Sequence, residues 1–306
     1  MAKFLALKEN FGMKEGEVDM TTLPIFALFN PAWGITTVMP EINPSKPAEA
    51  SARSLVKTLV DYEVTTAFAS PVIGRKIAEW CGRDNLKLPH VNRFFLAGAP
   101  SPPQLIENLA SVMDNGQVII PYGATEALPV SYCTHDDVNR VRKSIDQGEG
   151  SCLGKAIPGI SIKLFPVSAS PFDDKVKEVG KGQVGEICVA GSTVTEEYYR
   201  MPGATFDSKF CFDSQTYHRM GDLGYFDEDL TLRFLGRKAE RLHTTHGPLE
   251  TERCEAIANT VNGVRRSALV GLGSKDPMEP CVIIEPEDEF RDQKARNEIE
   301  EEVLSR

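Results

Sequence analysis

Residues 51–62 (SARSLVKTLVDY) place apolar side chains at Leu55, Val56, Leu59 and Val60, the spacing of one helical face. The following stretch, VTTAFASP at 64–71, is rich in β-branched residues and stops at a proline, which predicts a strand. The same logic predicts a helix over 72–82, a strand at Arg93–Ala97, a helix over 102–114 and a short buried strand at Gln117–Pro121. Strand and helix alternating in this way imply a layered α/β sheet through residue 121.

The texture changes near residue 150. Short β-rich runs (ISIKLFPV, GEICVAG and LRFLG) are separated by Gly, Pro and charged turns, the pattern of a small barrel or an antiparallel sheet. Ser168–Gly182 is the most loop-like segment. Further on, the pattern predicts a helix over 250–261 and strands at Ser267–Leu272 and Cys281–Glu285. A final helix carries Ala295, Ile299 and Val303 on one face, with Lys294/Glu298 and Arg296/Glu300 as i, i+4 pairs. The expected organisation is an α/β subdomain over 1–130 and a β-rich, barrel-like subdomain over 131–235. A hinge at 236–241 then leads to part of a small α+β domain over 242–306.

Composition narrows the partners. The formal net charge of -10 argues against nucleic acid, which needs clustered basic surface, but leaves room for a mononucleotide. Seven cysteines without a Cys-x-x-Cys pair predict reduced thiols and no metal framework, the usage of a cytoplasmic protein. The first residues do not read as a signal peptide. The longest apolar stretch, Pro24 to Pro40, is broken by Asn30, Pro31 and Gly34, so no membrane association is indicated.

Three segments carry candidate chemistry. In VIIPYGATE, a buried strand runs into Tyr122-Gly123-Ala124-Thr125-Glu126, and ligands of doubly wound sheets sit at the carboxyl ends of strands. Tyr122 offers a ring to a base, Gly123 lets the backbone come close, Thr125 offers a hydroxyl to a phosphate and Glu126 a hard oxygen to Mg²⁺. The competing reading is a polar strand-to-helix turn with Glu126 in the first helical turn. In Arg219-Met220-Gly221-Asp222, preceded by Tyr217, Asp222 has the acceptors for a ribose diol, or is a hairpin aspartate. In Gly236-Arg237-Lys238, Arg237 has the fork to hold ribose or phosphate, or lies in a solvated charged loop.

Taken in order, these segments resemble the AMP-forming acyl ligases, the family of acyl-CoA synthetases, adenylation domains and luciferases. That family carries Tyr-Gly-x-Thr-Glu, then Gly-Glu, Gly-Asp and Gly-Arg-x-Asp; the matching residues here are Tyr122–Glu126, Gly185-Glu186, Gly221-Asp222 and Gly236-Arg237. Gly98-Ala99-Pro100 matches the family's small-residue adenine turn. The resemblance implies that Ala99, Pro100 and Tyr122 enclose adenine, with Gly98 and Gly123 as further nucleotide-binding positions, and that Thr125 contacts the α-phosphate. It further implies that Glu126 holds Mg²⁺ and that Asp222 and Arg237 hold the ribose of ATP or AMP. Segments 23–48, 219–227 and 247–273 are similar to the olefin beta-lactone synthetases. This branch implies activation of a long-chain beta-hydroxy fatty acid as its adenylate, followed by closure to a beta-lactone, with Pro24–Val38 as wall for the alkyl chain or plain core.

Departures from the family pattern qualify this picture. The resemblance places a phosphate-gripping loop ahead of residue 1 and a catalytic lysine beyond residue 306, with nothing around Lys275 or Lys294 in its place. This chain is therefore expected to be a piece, or one half that needs a complementary N-terminal half, with little adenylation on its own. Ala239 stands where the hinge aspartate is expected, and Leu242–Gly247 carries one residue more than the family's continuation. Both weaken a fatty-acyl-CoA ligase reading, which needs the hinge. His243 and His246 are either general bases or exposed loop histidines. A non-catalytic nucleotide-binding remnant or scaffold and an antiparallel interaction module complete the alternatives.

Overall fold

The computed structural model describes residues 2–23, 27–173, 175–273, 276–290 and 292–306. Two compact units divide the chain: residues 1–140 with 153–160, and residues 141–152 with 161–306.

The first unit is built on parallel strands. β1 (Val18–Thr21), β2 (Thr36–Val38), β3 (Thr66–Ala69), β4 (Arg93–Leu96) and β5 (Gln117–Ala124) lie in the order β2-β1-β3-β4-β5. Strand β6 (Ala127–Thr134) then pairs antiparallel with β5, and β7 (Ser151–Ala156) with β6. Strand β3 is buried at all four positions, as a strand covered on both faces must be.

Helices α1 (Ala2–Phe11), α2 (Asn30–Trp33), α3 (Ala52–Asp61), α4 (Pro71–Arg83), α5 (Pro103–Ser111) and α6 (His135–Arg140) complete the unit. The predicted apolar face of α3 is Leu55, Val56 and Leu59, all buried, and Ser51 caps the helix by accepting the Ser54 N–H. Alternation along β4 feeds two layers. Leu96 points at α4, where a Cβ on Gly74 would lie 2.6 Å from its Cδ2. Phe95 points the other way, stacked on Phe68 at 5.0 Å and edge-on to Phe11 of α1 at 4.9 Å. Leu7, Met13, Trp33, Ile35 and Ile119 close this second core. Trp33 and Ile35 thus pack as core, whereas Leu28 is exposed; Pro24, Ile25 and Phe26 of the expected alkyl wall lie outside the described residues.

The second unit is β-rich, as its Gly- and Pro-punctuated runs predict. It holds β8 (Ile160–Phe165), β9 (Gly185–Gly191), β10 (Lys209–Phe212), β11 (Gln215–Phe226) and β12 (Leu232–Arg237). Their order is β12-β11-β9-β8, with β10 on the first half of β11. Among the described residues this is an open sheet rather than a closed barrel, the second of the two arrangements expected. Helices α7 (Arg142–Asp146) and α8 (Pro202–Ser208) belong here too. An aromatic core of Phe165, Phe210 and Tyr217, joined by Phe172 and Phe212, holds the sheet.

The rest of this unit comprises a small hairpin, β13 (Leu242–Thr244) with β14 (Gly247–Leu249), then α9 (Thr251–Ala258). A longer hairpin, β15 (Val264–Leu272) with β16 (Glu279–Pro286), and helix α10 (Gln293–Ser305) follow. Ile299 of α10 is buried against Val261 and Val264, the face its spacing predicts. No helix among the described residues is long and apolar enough to cross a membrane.

Candidate nucleotide site

In the first unit, two candidate segments leave the carboxyl ends of neighbouring strands. Gly98, Ala99 and Pro100 follow β4 and are exposed, while Tyr122–Glu126 end β5, which pairs with β4 through Phe95↔Ile119. The turn after Tyr122 is a hairpin and not the start of a helix. Ala124 pairs with Ala127, so Thr125 and Glu126 form its two-residue tip, Thr125 exposed and Glu126 half-buried. The reason lies in the next eight residues, ALPVSYCT, where Pro129 opposes a helix and the β-branched Val130 and Thr134 favour a strand. Gly123 is required by packing: a Cβ there would lie 2.6 Å from the Ala127 carbonyl oxygen and 2.8 Å from Leu128 Cδ1. Tyr122 is buried, at 9% exposure, so its ring is largely spent on the unit's own packing.

The same turn carries a cation that sequence order does not reveal. Lys3 Nζ donates to the Thr125 carbonyl oxygen at 2.6 Å. Partial burial lowers the Lys3 pKa, and the nearby Glu126 carboxylate opposes that shift.

In the second unit, the pairing register of β11 breaks between Arg219 and Leu223 against β9, and between Leu223 and Gly224 against β12. Gly221 sits at the bulge with φ +70°, a conformation that favours glycine. Beside it, Asp222 is 3% exposed and directly opposite Arg237 on β12. Arg237 Nη1 donates to Asp222 Oδ1 at 2.8 Å, while its own side chain is 56% exposed. A buried carboxylate that holds an exposed guanidinium in place is suited to recognising a hydroxyl-rich or anionic ligand. Tyr217, by contrast, is core: it is 1% exposed and its hydroxyl shares a hydrogen bond with Ser161 Oγ at 2.8 Å.

Residues 3–199 of the chain match the family described as AMP-binding enzyme. The chain belongs to the AMP-binding enzyme family. Two curated relatives are named olefin beta-lactone synthetase. One, from Stenotrophomonas maltophilia (strain K279a), is 40% identical over 283 residues, covering 90% of this chain and 50% of the relative. The other, from Xanthomonas campestris pv. campestris, is 38% identical over 290 residues, covering 92% of this chain and 51% of the relative. This chain therefore spans about half the length of the curated relatives it matches. Among solved structures, the O-succinylbenzoate coenzyme A synthetase of Bacillus subtilis in complex with ATP and magnesium ion superimposes with a TM-score of 0.73 at 18% identity. The match covers 97% of this chain and 58% of that one, a likeness of fold.

For this AMP-binding family member, the candidate residues fall into two groups. Gly98–Pro100 and Tyr122–Glu126 are neighbours in the first unit, and Asp222 and Arg237 are partners in the second. Among the described residues no group of three or more His, Cys, Asp or Glu could hold a metal ion. A single carboxylate such as Glu126 suits Mg²⁺, which completes its shell with phosphates and waters. His243 and His246 are exposed, on β13 and in the β13–β14 turn. Lys294 is exposed on α10 in an i, i+4 pair with Glu298, and Lys275 lies outside the described residues.

One charged node was missed by sequence reasoning. Glu186, matched only as part of a Gly-Glu pair, is fully buried on β9 and held by Arg219 at 3.1 and 2.7 Å and by Lys238 at 2.8 Å. Arg219 also donates to the Ser168 and Ser170 carbonyls at 2.6 and 2.9 Å and lies over the Phe172 ring at 4.1 Å. This node pins the loop-like segment 168–172 to the sheet. A usable signal exists: a glutamate inside the apolar run GEICVAG demands a buried cation.

Proposed function

We propose that this chain is part of an ATP-dependent, AMP-forming acyl-activating ligase. In this reading it converts a long-chain beta-hydroxy fatty acid to its adenylate and then to a beta-lactone. The observation that carries the reading is the 38–40% identity to olefin beta-lactone synthetases over 90% or more of the chain.

A carboxylate oxygen of the fatty acid attacks the α-phosphorus of ATP and pyrophosphate leaves. The acid's own β-hydroxyl oxygen then attacks the acyl carbon, the acyl C–O(phosphate) bond breaks, AMP leaves, the hydroxyl proton passes to water, and the four-membered ring closes. Because the second nucleophile is tethered, positioning replaces a bimolecular encounter. Thr125 donates its hydroxyl to the α-phosphate, and Asp222 accepts from the ribose diol while Arg237 orients it. Ala99, Pro100 and Tyr122 enclose the adenine, and Gly98 and Gly123 let the backbone come close to the nucleotide. Mg²⁺ at Glu126 neutralises phosphate charge when bound. Residues 236–241 act as the hinge between the β-rich part and the partial small domain at 242–306. Reduced thiols, four of them buried at Cys81, Cys133, Cys152 and Cys188, suit a cytoplasmic setting.

The test is to incubate the whole protein with ATP, Mg²⁺ and a long-chain beta-hydroxy acid, with and without coenzyme A. Lactone formed without coenzyme A supports the reading. Thioester formed only with coenzyme A assigns a fatty-acyl-CoA ligase, and neither product would return the chain to a nucleotide-binding scaffold.

A further inference from the structure

We infer that Lys3 is a further phosphate-binding residue of this chain, a fixed cation for the anion bound at the Thr125–Glu126 turn. This rests on the nucleotide reading of that turn and adds to it a residue that no motif contains.

The argument begins with α1. Its carboxyl end is clamped into the core by Leu7 and Phe11, and the Phe11 ring meets Phe95 of β4 at 4.9 Å and Tyr132 of β6 at 5.2 Å. Those strands flank β5. Lys3 is eight residues earlier on the helix, about 12 Å along its axis at 1.5 Å per residue. A helix fixed at one end therefore delivers its other end to the hairpin tip, where Lys3 Nζ meets the Thr125 carbonyl at 2.6 Å. The contact joins residues 122 positions apart and depends on tertiary packing alone.

An ammonium carries three donors, and the Thr125 carbonyl uses one. The remaining donors are held at the same turn as the Thr125 hydroxyl and the Glu126 carboxylate. Lys3 and Glu126 together leave the tip close to neutral, whereas a nucleotide triphosphate brings several negative charges. A point cation whose position is set by a backbone carbonyl offsets part of that charge without first having to be ordered. Its contribution must grow with the number of phosphates and be absent for the nucleoside.

Calorimetric titration of the 306-residue chain with adenosine, AMP and ATP in Mg²⁺ tests this, using wild type, Lys3→Ala, Lys3→Gln and Lys3→Arg. The expected result for Ala and Gln is about a tenfold loss in ATP affinity, a smaller loss for AMP and under about twofold for adenosine. Lys3→Arg keeps ATP affinity within about threefold. An equal loss for adenosine and ATP would show that Lys3 only supports the fold, and no loss would show that it is idle; either overturns the inference. A wild-type chain that binds neither adenosine nor ATP removes the nucleotide reading itself. Intact wild-type binding with no phosphate-dependent loss removes only Lys3.

Discussion

Asp19 is a carboxylate in the wrong solvent, and its titration should be visible in the stability of the chain. It lies on β1 at 3% exposure, facing a cavity lined by Phe11, Trp33, Phe68 and Phe95, with about 20 Å³ open to the centre of a water molecule. Asn30 Nδ2 donates to Oδ2 at 2.7 Å and to Thr37 Oγ1 at 2.9 Å, which ties β1, β2 and α2 together. Oδ1 has no hydrogen-bond partner. Burial raises the pKa from 3.8 to about 6; the Asn30 bond opposes this, Glu17 adds to it and Arg93 subtracts. Because the folded value lies above the unfolded one, the protonated form is favoured by folding. Stability from this group is full below about pH 3.8 and is lost as pH rises through about 6. The loss is about 3 kcal/mol. Asp19→Asn keeps an acceptor for Asn30 but cannot ionise. Urea denaturation of both proteins at steps from pH 4 to 7.5 should show the Asn variant gaining on wild type by about 2.4 kcal/mol across that window, the rest of the shift lying below pH 4. Glu17 and Arg93 are present in both and cancel. A difference between the two that stays flat with pH, or grows in favour of wild type, would show that Asp19 does not lose its proton across this range.

Two further outcomes follow from the second unit. Replacing Arg219 by Met leaves the fully buried Glu186 with Lys238 alone, and should cost about 3–5 kcal/mol by urea denaturation. Lys238→Met, which leaves the Arg219 fork intact, should cost clearly less; equal costs would contradict the assignment of Arg219 as the main partner. Asp222→Asn should weaken AMP binding about tenfold while leaving binding of the 2′,3′-dideoxy nucleotide unchanged, because only the ribose diol needs the charged acceptor. Equal losses for the two nucleotides would remove Asp222 from the ribose.

What was readable in the sequence follows the range of the forces involved. Periodicity located α3, α4, α5, α9 and α10 and the central strands, because each depends on which face of a local segment is apolar. The buried trio Leu55, Val56 and Leu59 and the buried Ile299 are direct examples. Strand β1 was harder to read: VDMT hides an aspartate in the core, where the Asn30 donor satisfies one of its oxygens. The hairpin at Thr125–Glu126 was missed because Gly-Ala-Thr-Glu is compatible with either a helix start or a tight turn, and pairing with β6 decides between them. Lys3 and the cations that hold Glu186 were not identified for a third reason, although the glutamate inside GEICVAG called for a buried cation. Their partners are 122, 33 and 52 positions away, and which residues meet at that range is decided by packing. Where a short motif fixes backbone shape it can be read locally, as Gly221 shows at the bulge beside Asp222.

In the proposed reaction a carboxylate is activated on ATP with Glu126 at the phosphates. ATP–pyrophosphate exchange by the whole protein measures that step directly. The expected result is exchange that depends on a long-chain beta-hydroxy acid and falls at least about a hundredfold in Glu126→Gln. Exchange absent with every long-chain acid tried, or undiminished in Glu126→Gln, would contradict the account.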